Sequence, residues 1–141
     1  MSKIDTLEPD FKSIIQTLLT RTETATKRKW GISDGRRTMK QQEAIYAQGR
    51  TAPGKVVSNA RPGSSAHNFG LAADLWPLTP DGKNFDWNAS RDLFTQMGKI
   101  AVGLGLTWGG NFKSIFDAPH VEHPRWRDQQ AKWRAGEIHI A

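Results

Sequence analysis

The chain carries, between Ser65 and Asp74, the sequence SAHNFGLAAD. Its second half continues into the apolar run Leu71–Trp76, which predicts a buried strand. A carboxylate inside such a strand is costly unless it is paired or bound to a metal. A turn over Asn68–Gly70 would bring His67 back beside Asp74. One imidazole nitrogen and one carboxylate oxygen make half of a tetrahedral zinc site, so the stretch predicts a metal site as well as a strand.

The same two residues also have a purely structural interpretation, in which Asp74 caps a helix or pairs with an arginine and His67 is a loop residue. A second segment, DAPHVEH at Asp117–His123, favours the metal. It opens a short apolar strand with His120, which can supply a third ligand. Three protein ligands leave the fourth position to water, which is the pattern of a catalytic zinc site rather than a structural one.

Two histidines of this second segment compete for the role of third ligand. Alternation along a strand puts His120 and Glu122 on one face and His123 on the other, which favours His120. Asp117 precedes His120 by three residues, across a turn forced by Pro119. It could therefore lie beside the water without binding the metal, and act there as a general base.

The remaining hydrophobic patterns predict an α+β fold, in which helices pack on a small, mostly antiparallel sheet and the zinc lies in a cleft. Gly49–Ser65 is rich in Gly, Pro, Ser and Asn and is predicted to be a long loop, a feature that is often functional. We expect a single domain over residues 1–141, with a core at about 7–123 and a basic C-terminal segment at 124–141. Helices are predicted to begin near Pro9, Thr38, Ser90 and Arg125, and short strands to lie at Trp30–Asp34, Leu106–Trp108 and Pro119–His123.

The composition excludes several classes of site. The chain has no cysteine, so disulfides, thiolate zinc ligands and cysteine nucleophiles are ruled out. Of its 4 histidines, His139 is predicted to be a surface residue because its setting is polar and terminal. No stretch approaches the roughly 18 apolar residues of a membrane span, and the N-terminus does not resemble a signal peptide. We therefore expect the chain to be made in the cytoplasm.

The charge is basic, with 20 Lys and Arg against 14 Asp and Glu, a net charge of +6. Such a surface favours a polyanionic partner, either nucleic acid or the bacterial envelope, unless it is simply a solvated face. We find no nucleic-acid-binding motif and expect no such partner. The segment from Arg125 to Arg134 is cationic and contains tryptophan. It could contact the anionic envelope, or it could be a packed terminal helix.

The order of these motifs resembles the D-Ala-D-Ala metallopeptidase family, which includes VanY-like carboxypeptidases and L-alanyl-D-glutamate endopeptidases of phage endolysins. Ser65–Asp74 is similar to its Ser-x-His-x-x-Gly-x-Ala-x-Asp string, and Asp117–His120 to the Asp-x-x-His string that follows. The similarity extends over about Leu7–Glu122. It includes the family's Gly-x-Arg-Thr segment at Asp34–Thr38 and two segments of the phage branch, Gln48–Thr51 and Ala60–Ser65.

The resemblance implies a role for each of six residues. His67, Asp74 and His120 would be the zinc ligands and Asp117 the base. Arg37 would steady the carbonyl of the scissile bond, since a guanidinium stabilises the oxyanion as it forms. Ser65 would hydrogen-bond the substrate.

Other interpretations of the same region stay open. The neighbouring Arg36 could take the place of Arg37, although only one of two adjacent side chains on an extended segment should point inward, and Arg37 could instead form a surface ion pair. Trp76 and Trp108 could line the cleft and bind substrate, or belong to the core.

The function that the resemblance implies is a zinc-dependent peptidase that cuts the L-Ala–D-Glu bond in the stem peptide of bacterial peptidoglycan. A phage endolysin of this kind would stay in the host cytoplasm until a holin-type pore released it to the periplasm and cell wall during host lysis. A D,D-carboxypeptidase of the same family is the nearest alternative. A non-catalytic wall-binding module and a basic nucleic-acid-binding protein are alternatives from other classes.

Overall fold

Four short strands form one antiparallel sheet. The computed structural model describes residues 2–113 and 116–141. Within them, the strands are β1 (Trp30–Asp34), β2 (Ala72–Pro77), β3 (Thr107–Trp108) and β4 (His120–Glu122), in the spatial order β1-β2-β4-β3. All three neighbouring pairs run antiparallel, so the predicted sheet is confirmed.

Four α-helices in the described residues accompany the sheet, and each begins within one residue of its predicted position. They are α1 (Pro9–Thr26), α2 (Met39–Ala47), α3 (Arg91–Gly103) and α4 (Trp126–Arg134). Local signals explain two of these starts. The Glu8 carboxylate accepts hydrogen bonds from the first turn of α1, which opens with a proline. Thr38 and Gln41 bond each other's backbone N–H groups in a capping box that opens α2.

The sheet has one face against the helices and one face that carries polar groups. Leu75 and Val121 are fully buried and belong to the same hydrophobic core as α1 and α3. On the alternate positions, the pairing of β2 with β4 sets Asp74 opposite His120 and Ala72 opposite Glu122. Side chains at alternate positions point to opposite faces, so the carboxylates and the imidazole share the second face.

The predicted long loop is confirmed, since residues 48–65 hold no helix or strand apart from an isolated bridge between Gln48 and Ala52. Side-chain hydrogen bonds hold this loop instead of a backbone ladder. Arg50 donates from Nη1 to the carbonyl oxygens of Tyr46 (2.7 Å) and Ser58 (2.9 Å), and from Nη2 to Asn59. The far end of the loop is therefore tied back to the end of α2.

The C-terminal segment packs on the turn that follows the loop. The rings of Trp126 and Trp133 lie 5.9 and 6.2 Å from that of Phe69, between centroids, and Gln130 Nε2 donates to the Gly63 carbonyl at 2.8 Å. Its basic side chains are exposed, and these are Arg125, Arg127, Lys132 and Arg134. The helix is thus packed, and its contact with the envelope stays a prediction. In the described part of the chain, no helix has the length and apolar character needed to span a membrane.

Trp108 is buried against Gly98 of α3, and this contact predicts that substitutions of two glycines in α3 differ sharply in their effect on stability. A Cβ at Gly98 would collide with the indole of Trp108, whereas one at Gly103 would meet no atom within 4 Å. We expect Gly98→Ala to lower the free energy of unfolding by about 1–3 kcal/mol, because the core is overpacked there. Gly103→Ala, the matched control, should leave it unchanged or raise it by about 0.4–1 kcal/mol. Urea denaturation of both variants measures the difference, and equal stabilities would contradict this packing.

Candidate metal centre

His67, Asp74 and His120 converge on the polar face of the sheet. One ligand atom from each lies within 4.8 Å of the others. Asp74 Oδ1 is 3.4 Å from His67 Nε2 and 3.3 Å from His120 Nδ1. Both imidazoles are buried, with His67 3% and His120 7% exposed. The structure therefore brings together three groups that could bind a metal.

A short 3-10 turn, Ala66–Phe69, aims His67 at the strand. Ser65 Oγ accepts from the His67 backbone N–H at 3.2 Å, and Gly70 ends the turn with φ 70°, a left-handed conformation that suits glycine. His67 Nδ1 lies 2.8 Å from the carbonyl oxygen of Gly35. Because a carbonyl can only accept, Nδ1 must carry the proton, which leaves the lone pair of Nε2 directed at Asp74.

His120 is oriented from its other side by Glu122. Its Nε2 lies 2.7 Å from Glu122 Oε1, while the second oxygen of that carboxylate accepts from Trp126 Nε1 at 2.8 Å. The ring is thereby fixed with Nδ1 toward Asp74. Each imidazole thus has an acceptor behind it, which is the arrangement usual for histidine metal ligands.

The charges of the cluster favour a cation. Burial opposes ionisation of Asp74, yet the hydrogen bond from His120 holds the pKa of this carboxyl below its usual value. Burial also disfavours the charged form of His120 and would lower its pKa, but contacts with Asp74 and Glu122 raise that pKa to about 10. The carboxylates of Asp74, Asp117 and Glu122 thus favour a proton on His120, at a place where a metal ion could bind instead. Two imidazole nitrogens and one carboxylate oxygen suit a divalent first-row metal.

Asp117 lies beside this group without belonging to it. Its Oδ2 is 3.8 Å from His120 Nδ1, and its side chain is 45% exposed. Burial of the carboxyl, followed by the negative charge of Asp74, raises the pKa of Asp117. The backbone N–H of Asp117 donates to Gly109 and its carbonyl accepts from His120, so a hydrogen-bonded turn fixes the position.

These residues line one cleft of about 380 Å³. The metal-binding group and Asp117 form one side of it. Three of the other lining residues were not predicted from the sequence. For Val57 and Ser58 the only signal was the length of the loop between α2 and the 3-10 turn, and Ile45 of α2 had none. The full lining is Arg37, Ile45, Val57, Ser58, Ser65, His67, Asp74, Asp117 and His120.

The two adjacent arginines point to different places. Arg37 lines the cleft, where its Nη2 pairs with Asp34 and its Nη1 donates to Gln42 Oε1 at 2.8 Å. Arg36 instead donates to the carbonyl oxygens of Thr6 and Phe69. The Arg37 ion pair is mostly buried, with side-chain exposures of 14% for the arginine and 28% for the aspartate, so it is not a solvated surface pair.

The two tryptophans predicted to bind substrate do not line this cleft. The ring of Trp76 lies 4.7 Å from that of Trp87 and 5.0 Å from that of Phe94. Trp108 is buried and donates from Nε1 to the Ala118 carbonyl at 2.7 Å. Both positions match the interpretation in which these residues pack against the protein.

The other two histidines lie apart from the metal-binding group. His123 Nδ1 accepts from the backbone N–H of Arg125 at 3.1 Å, and its ring meets the edge of Phe11 at 6.4 Å. His139 is exposed, as predicted. His120, the histidine that strand alternation favours, is therefore the one that lies in the group.

The sequence of this chain is similar to those of known proteins. A family model described as D-alanyl-D-alanine carboxypeptidase matches residues 58–123. The peptidoglycan L-alanyl-D-glutamate endopeptidase CwlK of Bacillus subtilis (strain 168) is 39% identical in an alignment over 101 residues that covers 64% of this chain. The match spans 58% of the length of that relative.

Solved structures share the fold. The L-Ala D-Glu endopeptidase ChiX of Serratia marcescens matches with a TM-score of 0.64 and 23% identity, over 91% of this chain and 87% of its own. The vancomycin resistance D,D-pentapeptidase VanY of the VanB-type cassette, solved as an E175A mutant in complex with Zn(II), matches with a TM-score of 0.59 and 16% identity. That match covers 92% of this chain and 79% of VanY.

The family match covers the segment that contains the metal-binding group, and the chain shares its fold with members of both branches that the sequence motifs resemble. The chain is therefore similar in sequence to the D-alanyl-D-alanine carboxypeptidases over residues 58–123, and to an L-alanyl-D-glutamate endopeptidase over 64% of its length.

Proposed function

We propose that the chain is a zinc-dependent peptidase that cuts the L-Ala–D-Glu bond in the stem peptide of bacterial peptidoglycan. The observation that carries this proposal is the convergence of His67, Asp74 and His120 at a cleft that also holds Asp117. The choice of bond rests on the similarity to CwlK and ChiX, whose names specify that activity.

The proposed zinc ligands are His67 through Nε2, His120 through Nδ1, and the Asp74 carboxylate. Their donor atoms are the types that zinc prefers, and the hydrogen bonds to Gly35 and Glu122 leave these nitrogens free to bind. Zinc would supply Lewis-acid polarisation of the peptide carbonyl and a lowered pKa for water. The remaining chemistry belongs to side chains of the cleft.

Asp117 is the proposed general base. It lies on the exposed side of the metal-binding group, where a water molecule entering the cleft can reach its carboxylate. The carboxylate would take a proton as the water attacks, and would then return it to the leaving amine of D-Glu. No covalent enzyme intermediate is needed.

Arg37 and Ser65 are proposed to bind the peptide at the reacting bond. The Arg37 guanidinium would stabilise the negative charge that develops on the carbonyl oxygen. Ser65 Oγ already accepts from the His67 backbone, so its hydroxyl proton remains available to donate to a substrate carbonyl. The apolar lining residues Ile45 and Val57 would face the aliphatic parts of the stem peptide.

A D,D-carboxypeptidase activity is the second candidate, because the matching family model carries that description. It would use the same residues and remove a terminal D-Ala rather than cut within the stem. A non-catalytic wall-binding module would have no use for a buried metal-binding group with a carboxylate beside it.

The proposed biological role is host lysis by a phage endolysin, and its support is the similarity of Gln48–Thr51 and Ala60–Ser65 to the phage branch. The enzyme would remain in the host cytoplasm until a holin-type pore let it reach the periplasm and cell wall. The exposed basic residues of the C-terminal segment would contact the anionic envelope, in keeping with the net charge of +6.

Mass spectrometry of digested sacculi tests the reaction. We expect the zinc-loaded protein to leave glycan-linked L-Ala with a free carboxyl group and to release peptides that begin with D-Glu. Release of free D-Ala would identify the carboxypeptidase instead. Absence of any product from folded, metal-loaded protein would rule out the peptidase.

Two histidine variants test the metal site. We expect one zinc ion per chain by elemental analysis, loss of activity on chelation, and recovery when zinc is added. His120→Ala should lose both zinc and activity because it removes a ligand. His123→Ala is the matched control from the same strand end and should keep both. The opposite result would show that the wrong histidine was assigned.

The assigned base is tested by comparing Asp117→Asn with Asp74→Asn. Loss of a general base typically lowers the rate about 10²- to 10⁴-fold, so Asp117→Asn should bind zinc and be nearly inactive. Asp74→Asn should instead be poor in zinc, because it changes a ligand. Zinc content and wall hydrolysis are measured side by side. Near wild-type hydrolysis by Asp117→Asn would show that Asp117 is not the base.

A further inference from the structure

Gln42 connects two walls of the cleft without lining it. The residue is fully buried on α2. Its side-chain oxygen accepts from Arg37 Nη1 at 2.8 Å, and its Nε2 donates to the Ala60 carbonyl (2.7 Å) and to Ser58 Oγ (3.2 Å). The side-chain amide of Gln42 therefore accepts a hydrogen bond from the arginine and donates hydrogen bonds to the loop.

On the arginine side, the position of the guanidinium depends on two contacts. Asp34 binds Nη2 and Gln42 binds Nη1, whereas Nε is buried and has no hydrogen-bond partner within residues 2–113 and 116–141. Contacts to two different nitrogens fix the plane of a guanidinium, while a single contact would let it pivot. Each terminal nitrogen has two N–H groups, so each keeps one for a ligand in the cleft.

On the loop side, Gln42 completes a tight turn. Ser58 Oγ also accepts from the Ala60 backbone N–H at 3.1 Å, and Arg50 binds the Ser58 carbonyl from the other direction. Ser58 and its neighbour Val57, which is 59% exposed, both line the cleft. The Gln42 amide is thus positioned to set the distance between this loop and the arginine.

The Gln42 amide satisfies the Ala60 carbonyl and one N–H of Arg37 at the same time, which an apolar side chain of similar size could not do. We propose that Gln42 is a positioning residue for the peptidase reaction, which holds the Arg37 guanidinium at the scissile carbonyl and the Ser58–Ala60 turn against the bound peptide. This proposal rests on the proposed function of the cleft.

The expected kinetic effect follows from the two contacts of the amide, its oxygen with Arg37 and its nitrogen with the loop. Arg37 would act on charge that develops only in the transition state, so losing its positioning should lower kcat more than it raises KM. Removing a whole oxyanion donor costs roughly 10²- to 10³-fold in kcat. Because Gln42→Leu misplaces such a donor without removing it, we expect a smaller loss of about 10- to 100-fold.

Gln42→Glu separates the effect of the contact with Arg37 from that of the contact with the loop. It keeps an acceptor for Arg37 but cannot donate to Ala60, so we expect kcat near the wild-type value and a raised KM. It also provides a second variant if Gln42→Leu does not fold.

Gln41→Ala is the matched control. The neighbouring glutamine accepts from the Thr38 backbone in the capping box and makes no hydrogen bond to Arg37 within the described residues. Its loss should destabilise the start of α2 while leaving kcat and KM unchanged. Thermal unfolding of each variant places Gln41→Ala and the Gln42 variants on one stability scale, so that a kinetic effect caused only by instability would be seen in both.

A double-mutant cycle with Arg37→Ala decides the proposal. If Gln42 acts through Arg37, Gln42→Leu should cause no further loss of kcat in the Arg37→Ala background. An equal fold-loss in both backgrounds would overturn the proposal, since it would show that Gln42 acts independently of the arginine.

An NMR measurement tests the positioning without any substrate, so its result stands even if the wild-type protein proves inactive on sacculi and the proposed function fails. In ¹⁵N-arginine-labelled protein, the Arg37 Nε–H signal should shift and exchange faster in Gln42→Leu and stay unchanged in Gln41→Ala. An Arg37 signal that is unchanged in Gln42→Leu would overturn the positioning role.

Discussion

A carboxylate held inside a buried strand is the constraint on which the rest of this structure depends. Asp74 lies on β2 between the imidazoles of His67 and His120, at 3.4 and 3.3 Å. Its burial is tolerable because His120 hydrogen-bonds to it, and this contact keeps its pKa low despite the desolvation. The pairing of β2 with β4 supplies one imidazole directly opposite, and the turn before β2 supplies the other.

Each imidazole is in turn held from its other side by a hydrogen-bond acceptor. The carbonyl of Gly35, just after β1 and far from His67 in the chain, fixes His67, whereas Glu122 of the same strand fixes His120 while accepting from Trp126 of the C-terminal helix. The group is therefore assembled on the sheet by residues that range from Gly35 to Trp126. This arrangement suits a metal site, because ligands that are already oriented lose little freedom when the ion binds.

The opposite wall of the cleft has a different physical character. It is a loop without regular structure, held by side-chain hydrogen bonds from Arg50 and Gln42 rather than by a backbone ladder. The cleft is thus bounded by a sheet that carries three groups able to bind a metal and by a loop held through side-chain contacts.

The sequence by itself determined those features that depend on local signals or on spacing along one strand. The capping box at Thr38 predicted the start of α2, and strand alternation selected His120 over His123, because both depend only on residues a few positions apart. Only the tertiary structure decided which side chains pack against each face of the helices and strands. Periodicity predicts where Trp108 points but not that Gly98 makes room for it, and the contacts of Gln42 with Arg37 and with Ala60 join segments that share no pattern in sequence. Such contacts are set by how the elements pack on one another, so no stretch of sequence contains them.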